Sequence, residues 1–313
     1  MKNLKQVAAI AAIFVVVQIL GIAFMYYVLG APYQSSDAGD WTNAVLYLLA
    51  LLGFTLLFLV LVKFDLNKLM KGIFFFSIGF VIWFVMGALL DLIIDDINVI
   101  FALAAVIAAL SVLAIWRYPE WYVIDIVGLP MAVGIIALLG LTFSVIPVLI
   151  LLTSLAVYDF ISVYKTKHML TLAEGVSEMG LPLLIVVPKK LPYSYINQKM
   201  NLRDKSEGKK EREAFLVGLG DVIIPGLLAS SAFWFISVSD AFTHDPVSLF
   251  GLPGYLVVAI GTIAGAMIGL VALMRIVVKG NPQAGLPLLN GGAIAGFFIS
   301  YLLVFGVNFS YIA

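Results

Sequence analysis

The chain of 313 residues contains no cysteine, which rules out a disulfide framework, a thiolate nucleophile and cysteine-ligated metal. Histidine is almost as scarce: only His168 and His244 occur, with no HExxH pair to hold zinc, and the topology derived below puts the two on opposite sides of a membrane. A Ser–His nucleophile system at hydrocarbon depth therefore lacks its base. Charge is also thin, at 12% of residues against 63% hydrophobic, and the mean hydropathy is +1.12. A soluble domain has no means of burying that much apolar surface, so the composition defines an integral membrane protein.

Apolar runs of roughly 17 to 25 residues cross the hydrocarbon as helix. They occur at 7–29, 44–62, 73–90, 98–115, 122–140, 145–164, 214–236, 253–274 and 285–309. The first follows Lys2 and Lys5 but is too long for a secretory signal and lacks a small-x-small cleavage site, so it reads as a retained helix. With nine spans and a cytoplasmic N-terminus, all 18 Lys and Arg fall on the inside: Lys2 and Lys5, then Lys63, Lys68 and Lys71, then Arg117, the cluster from Lys165 to Arg212, and Arg275 with Lys279. The outside loops carry instead Asp37, Asp40, Asp91, Asp95, Asp96, Asp240 and Asp245. Because Lys and Arg set orientation, this partition supports the span count and puts the C-terminus outside. The expected fold is an all-α polytopic membrane protein of nine transmembrane helices. It divides into a six-helix part at 1–164, a cytoplasmic loop at 165–213 and a three-helix part at 214–313.

The loop combines a Lys- and Glu-rich stretch, 203–213, with an apolar run at 181–187 bracketed by Pro182 and Pro188. Seven residues of helix cover only ~10 Å, so this run does not span, and its Ile-Val-Val core predicts a short strand. In span eight Gly261, Gly265 and Gly269, and in span nine Gly291, Gly292, Ala295 and Gly296, predict close helix packing. Pro147 and Pro225 read as cap or kink positions.

Ionisable groups at hydrocarbon depth cost about 2.5–3.5 kcal/mol on insertion scales, so each calls for a partner or a function. Two stand out, Asp159 in span six and Asp221 in span seven. Asp159 lies six residues, ~9 Å of helix, before Lys165; Asp221 lies nine residues, ~13 Å if helical, after Arg212. On antiparallel neighbours the two carboxylates can face each other in the inner third of the bilayer. At close range they share a proton, one donating while the other accepts. That is the equipment for activating water against a peptide carbonyl, and equally for relaying protons in a proton-coupled transporter. Spacing alone leaves both open. Against the transporter, nine spans do not divide into two inverted halves and no internal repeat is visible.

The local sequence favours proteolysis. Around the first acid stand Tyr158-Asp159, Val163, Lys165, Met169-Leu170 and Ala173-Glu174; around the second, Gly218-Leu219-Gly220-Asp221-Val222-Ile223-Ile224-Pro225-Gly226. These stretches resemble the YD and GxGD motifs of the presenilin and signal peptide peptidase family, and the whole architecture resembles archaeal presenilin homologues. The resemblance implies an intramembrane aspartyl protease in which Asp159 and Asp221 are catalytic, with no cofactor or metal. Its substrates would be transmembrane segments of proteins in a cell membrane, with no nucleic-acid partner; accessory subunits or self-association stay open. The family's third motif, Pro-Ala-Leu, has no literal match. Ala284-Gly285-Leu286-Pro287 occupies its place, with Leu286 matching and Ala284 and Gly285 departing from it. Tyr158, Gly218, Leu219, Gly220 and these four residues are the expected walls of the site. Gly218 and Gly220 either clear room beside Asp221 for substrate or serve helix packing.

Overall fold

The computed structural model describes residues 4–30, 39–64, 66–166, 184–189, 193–195, 214–241, 247–249, 251–277 and 284–312. The charged stretch 203–213, His168, His244 and Leu183 lie outside them. Among the described residues nine helices are long and apolar enough to cross a membrane. In chain order they are α1 (Leu4–Phe24, continued by a π turn, Met25–Leu29), α2 (Trp41–Lys63), α3 (Asn67–Leu90), α4 (Ile97–Arg117), α5 (Trp121–Thr142), α6 (Val145–Ile161), α7 (Leu219–Ala241), α8 (Gly254–Val277) and α9 (Leu286–Phe305). A second π turn, Ser162–Thr166, extends α6. Strands β1 (Leu184–Pro188) and β2 (Ala214–Gly218) form one antiparallel pair, and β3 (Ser248–Leu249) and β4 (Leu252–Pro253) another.

Helix is the form in which an apolar segment satisfies its own backbone without water. Hydroxyls inside these helices follow the same rule: Thr55, Ser77, Ser111, Thr142, Thr153 and Thr262 each donate to the carbonyl four residues back, at 2.8–2.9 Å. Two of the aspartates assigned to the outside loops cap helices. Asp40 Oδ1 accepts the Thr42 N–H at 2.9 Å ahead of α2, a bond that, with the Thr42 hydroxyl, holds its carboxyl below the usual range. Asp96 Oδ1 accepts from Asn98 and Val99 at the start of α4.

Two compact units partition the chain. The first comprises Met1–Ala9, Leu51–Ala132 and Thr166–Gly220, and the second Ile10–Ala50, Val133–Lys165 and Asp221–Ala313. Within the first, α3 packs along α4 with Ile78, Ile82, Ala108 and Ile115 at the centre, joined by Val127 and Met131 of α5. A second cluster of this unit seats the β1–β2 pair on the start of α5, where Ile124 meets Val186, Tyr193, Tyr195 and Ala214.

Span seven corrects the sequence expectation. The run 214–236 is not helical throughout: 214–218 is strand β2, paired in register with β1 from Leu184↔Gly218 to Pro188↔Ala214. The expected strand forms at the end of the 181–187 run and includes the following proline, Leu184–Pro188. An apolar partner strand and the Ile124 cluster give 214–218 a buried place as extended chain, which outweighs helical continuation.

In the second unit α8 and α9 form the closest seam. A β-carbon on Gly265 would collide with the Gly292 carbonyl and lie 2.8 Å from Gly296 Cα, while Gly261 abuts Ser300 and Gly269 meets the Leu288 carbonyl. Two of the small residues expected on this seam are not there: a β-carbon on Gly291 would meet nothing within 4 Å, and Ala295 is exposed. They point off the contact stripe, which recurs every fourth residue. A Gly265→Ala variant should accordingly unfold at lower temperature in detergent, by the ~1–3 kcal/mol or more of an overpacked contact. Gly291→Ala should unfold like the unmodified protein, and equal stability for the two variants would contradict the seam.

Candidate active site

Asp159 sits in the last turn of α6 and is only 3% exposed. Its Oδ2 accepts the Leu286 N–H at 3.1 Å, and the Gly285 amide also bonds to it. Those amides belong to the first turn of α9, where a helix leaves its leading N–H groups without internal partners. Gly285, the N-cap residue, has no side chain to cap them, and Pro287 at the start of the helix has no N–H to satisfy. The carboxylate of α6 thus serves as the cap that α9 lacks, at the helix end that presents partial positive charge. Two turns deeper, buried Asn290 of α9 donates through Nδ2 to the Leu152 carbonyl of α6 at 2.9 Å. The contact between these helices is therefore polar at two levels.

Asp221 is the third residue of α7, in its first turn, and is half-buried. A β-carbon placed on Gly285 would lie 3.2 Å from Asp221 Oδ2 and 3.4 Å from Oδ1. The two carboxylates therefore converge on one dipeptide: Asp159 on the amides of Gly285 and Leu286, Asp221 on the side-chain-free flank of Gly285. Pro225, four residues on, has no N–H for the Asp221 carbonyl, so the helix ladder is loosened at this residue. The helical estimate of Asp221's depth from Arg212 is superseded, because 214–218 is extended. The meeting of the acids rests instead on the start of α9.

The remaining expected residues divide. Ala284 and Leu286 are buried beside Gly285, and Pro287 opens α9. Tyr158 is half-buried next to Asp159. Gly218 ends β2 opposite Leu184, Leu219 is buried as the first residue of α7, and Gly220 has open space where a side chain would project. The departure of 284–287 from Pro-Ala-Leu has a physical explanation: the contact to Asp159 is made by backbone amides, which any residue but proline supplies.

The two-acid inventory drawn from the sequence is incomplete. Asp125 lies on α5 inside the 122–140 span, and its Oδ1 accepts the Val186 N–H of β1 at 3.0 Å. Glu120, just before α5 and 8% exposed, accepts from Ser194 Oγ at 2.6 Å and Tyr195 N at 2.9 Å. The signal for Asp125 was present: it is an acid within an apolar run, the same criterion that singled out Asp159 and Asp221.

Among the described residues, nine helices long and apolar enough to cross a membrane, with two carboxylates meeting at a helix start, describe a polytopic membrane protein with a buried acid pair. Comparison with known proteins specifies the class further. Residues 11–307 match the family model described as signal-peptide peptidase, presenilin aspartyl protease, and the chain belongs to that family. The chain is similar to a solved presenilin family intramembrane aspartate protease in space group C222, with 31% identity over 95% of this chain and 99% of that one, and a TM-score of 0.66. A structure described in the same words in space group P2 shows 30% identity over 94% and 97% of the two chains, with a TM-score of 0.64. No curated protein matches the chain. The family is one of proteases acting on transmembrane segments within the bilayer, and a proton-coupled transporter finds no support in these relationships.

Proposed function

We propose that this protein hydrolyses peptide bonds within transmembrane segments of substrate proteins, using water activated between Asp159 and Asp221. The observation that carries the proposal is the convergence of both carboxylates on Gly285–Leu286. One carboxylate takes a proton from water as its oxygen attacks the scissile carbonyl carbon, while the other, protonated, donates to the carbonyl oxygen. Collapse of the resulting diol breaks the C–N bond: the proton taken from water goes to the leaving nitrogen, and one diol hydroxyl returns its proton to the carboxylate that had donated one, which regenerates the pair. The pair titrates as a unit, so the two roles belong to the dyad. The segregation of Lys and Arg supports an inside N-terminus, and with it chemistry towards the cytoplasmic face of a cell membrane.

A helical substrate shields its own carbonyls and must unwind, after which its freed backbone needs partners. Strand addition supplies them, but β1 is not the strand with a free edge. The Val186 N–H is turned out towards Asp125, so Val186↔Leu216 is a pair without mutual hydrogen bonds, and Leu216, with Ala214 and Gly218, directs its N–H and C=O away from β1. Pro188, opposite Ala214, fits this alternation because such a position needs no N–H. The outer edge of β2 is therefore the docking edge, and Gly220 leaves room beside Asp221. The test is incubation of the purified protein with a single-span substrate. Two fragments cut within the span are expected, and transition-state analogues of aspartyl proteolysis should block their release. Intact substrate after prolonged incubation, with the protein verified as folded, would count against the proposal.

A further inference from the structure

Asp125 has no part in the chemistry above, yet a carboxylate in a membrane-crossing helix is costly and calls for a reason. We infer that Asp125 is a positioning residue: it fixes β1 and closes its outer edge, so that an extended substrate is received by β2 alone. This rests on the proposed proteolysis and deepens it.

Holding the sheet in place does not require this acid. Ile124, Val186, Tyr193, Tyr195 and Ala214 already form an apolar seat, and Glu120 ties down the neighbouring segment through Ser194 and Tyr195. What Asp125 adds is at the edge. A two-stranded sheet has two open edges, each a template for another strand. The Asp125 Oδ1–Val186 bond of 3.0 Å occupies the outward N–H at the middle of β1, where an added strand would have to pair. Among the described residues, the outward groups at the middle of β2 carry no such bond from the sheet or from α5, so β2 presents the more open edge. That edge matters for register, because β2 ends at Gly218 and the chain reaches Asp221 three residues later. A segment paired with β2 is thus registered against the strand that leads directly into the acid, whereas one paired with β1 is displaced by a strand's width, ~4.8 Å.

The experiment uses the full-length protein and a single-span substrate, with kcat, KM and cleavage positions read by mass spectrometry. Four proteins are compared: unmodified, Asp125→Asn, Asp125→Leu and Asp159→Asn. Leucine matches the shape of aspartate and suits an apolar span; should it impair folding, Asp125→Ala replaces it. Asp125→Leu should lower kcat on the order of tenfold, less than the ~10²-fold that a full ångström of misplacement can cost, and spread the cuts over neighbouring bonds. Asp125→Asn keeps an oxygen for the Val186 N–H and should restore both rate and cleavage position. A merely structural role would lower the unfolding temperature without altering where the substrate is cut. The inference is overturned if Asp125→Leu cuts at the normal bond and rate, or if the asparagine variant fails to rescue. Persisting cleavage by Asp159→Asn would instead overturn the proteolytic dyad, whatever the Asp125 variants do.

Discussion

Asparagine at either Asp159 or Asp221 is expected to abolish cleavage while leaving a folded protein. An amide cannot accept a proton from water near neutral pH, nor share one with its neighbour. The loss should equal or exceed the ~10²–10⁴-fold that positioned acid–base groups contribute. On the proposal that the two acids act as one unit, the double variant should be no worse than either single one. Folding should survive for a reason visible at the site. Asparagine at 159 still offers an oxygen to the Leu286 N–H, so the start of α9 keeps its cap. Asp159→Ala removes the cap as well as the acid and should lower stability by the ~0.5–2 kcal/mol of a lost helix cap. Thermal unfolding in detergent, run beside the cleavage assay, separates the two effects. Normal turnover by either asparagine variant would refute the dyad.

What the sequence could and could not convey follows from the range of the forces involved. Span positions are written in local composition, and all nine predicted apolar runs reappear as membrane-length helices, most with ends moved by a few residues. The start of α7 is not written locally. Ala-Phe-Leu-Val-Gly followed by Leu-Gly-Asp-Val-Ile-Ile is a continuous apolar run, and periodicity does not separate a buried strand from a buried helix in such a segment. The choice is made by Val186 and Ile124, about 30 and 90 positions earlier in the chain, which give 214–218 a partner and a seat. Gly218 was the one local hint, since glycine weakens both helix and strand interiors and marks the point where one gives way to the other.

The third motif was obscure for a different reason. Side-chain identity at 284–287 departs from the related pattern, but the groups that meet Asp159 are backbone amides, which do not show in a motif. What the sequence does carry there is the absence of a side chain at Gly285 and of an N–H at Pro287. Both make sense only once Asp159 and Asp221 are seen against the same helix start.

That absence makes residue 285 the most sensitive neighbour of the dyad, and substitutions there should act in a graded way. Gly285 has φ −80° and ψ −48°, a conformation open to any L-residue, so backbone strain does not forbid a side chain. Space is the constraint. An alanine methyl would stand 3.2 Å from Asp221 Oδ2, a few tenths of an ångström too close, and a carboxylate can yield that much by a small rotation. Alanine is also the residue that the related motif places at this position. Gly285→Ala should therefore retain activity within several-fold of the unmodified protein. Valine adds branched methyls that a small rotation does not clear, so Asp221 must leave its position or α9 must shift from Asp159. An ångström of displacement in a reacting pair costs up to ~10²-fold, and Gly285→Val should lose at least that much in kcat. Its unfolding temperature should fall less, because the α8–α9 seam lies elsewhere along the helix. Steady-state cleavage of one substrate by the three proteins decides the matter. A valine variant as active as the alanine one would mean that Asp221 does not approach Gly285 in the working enzyme.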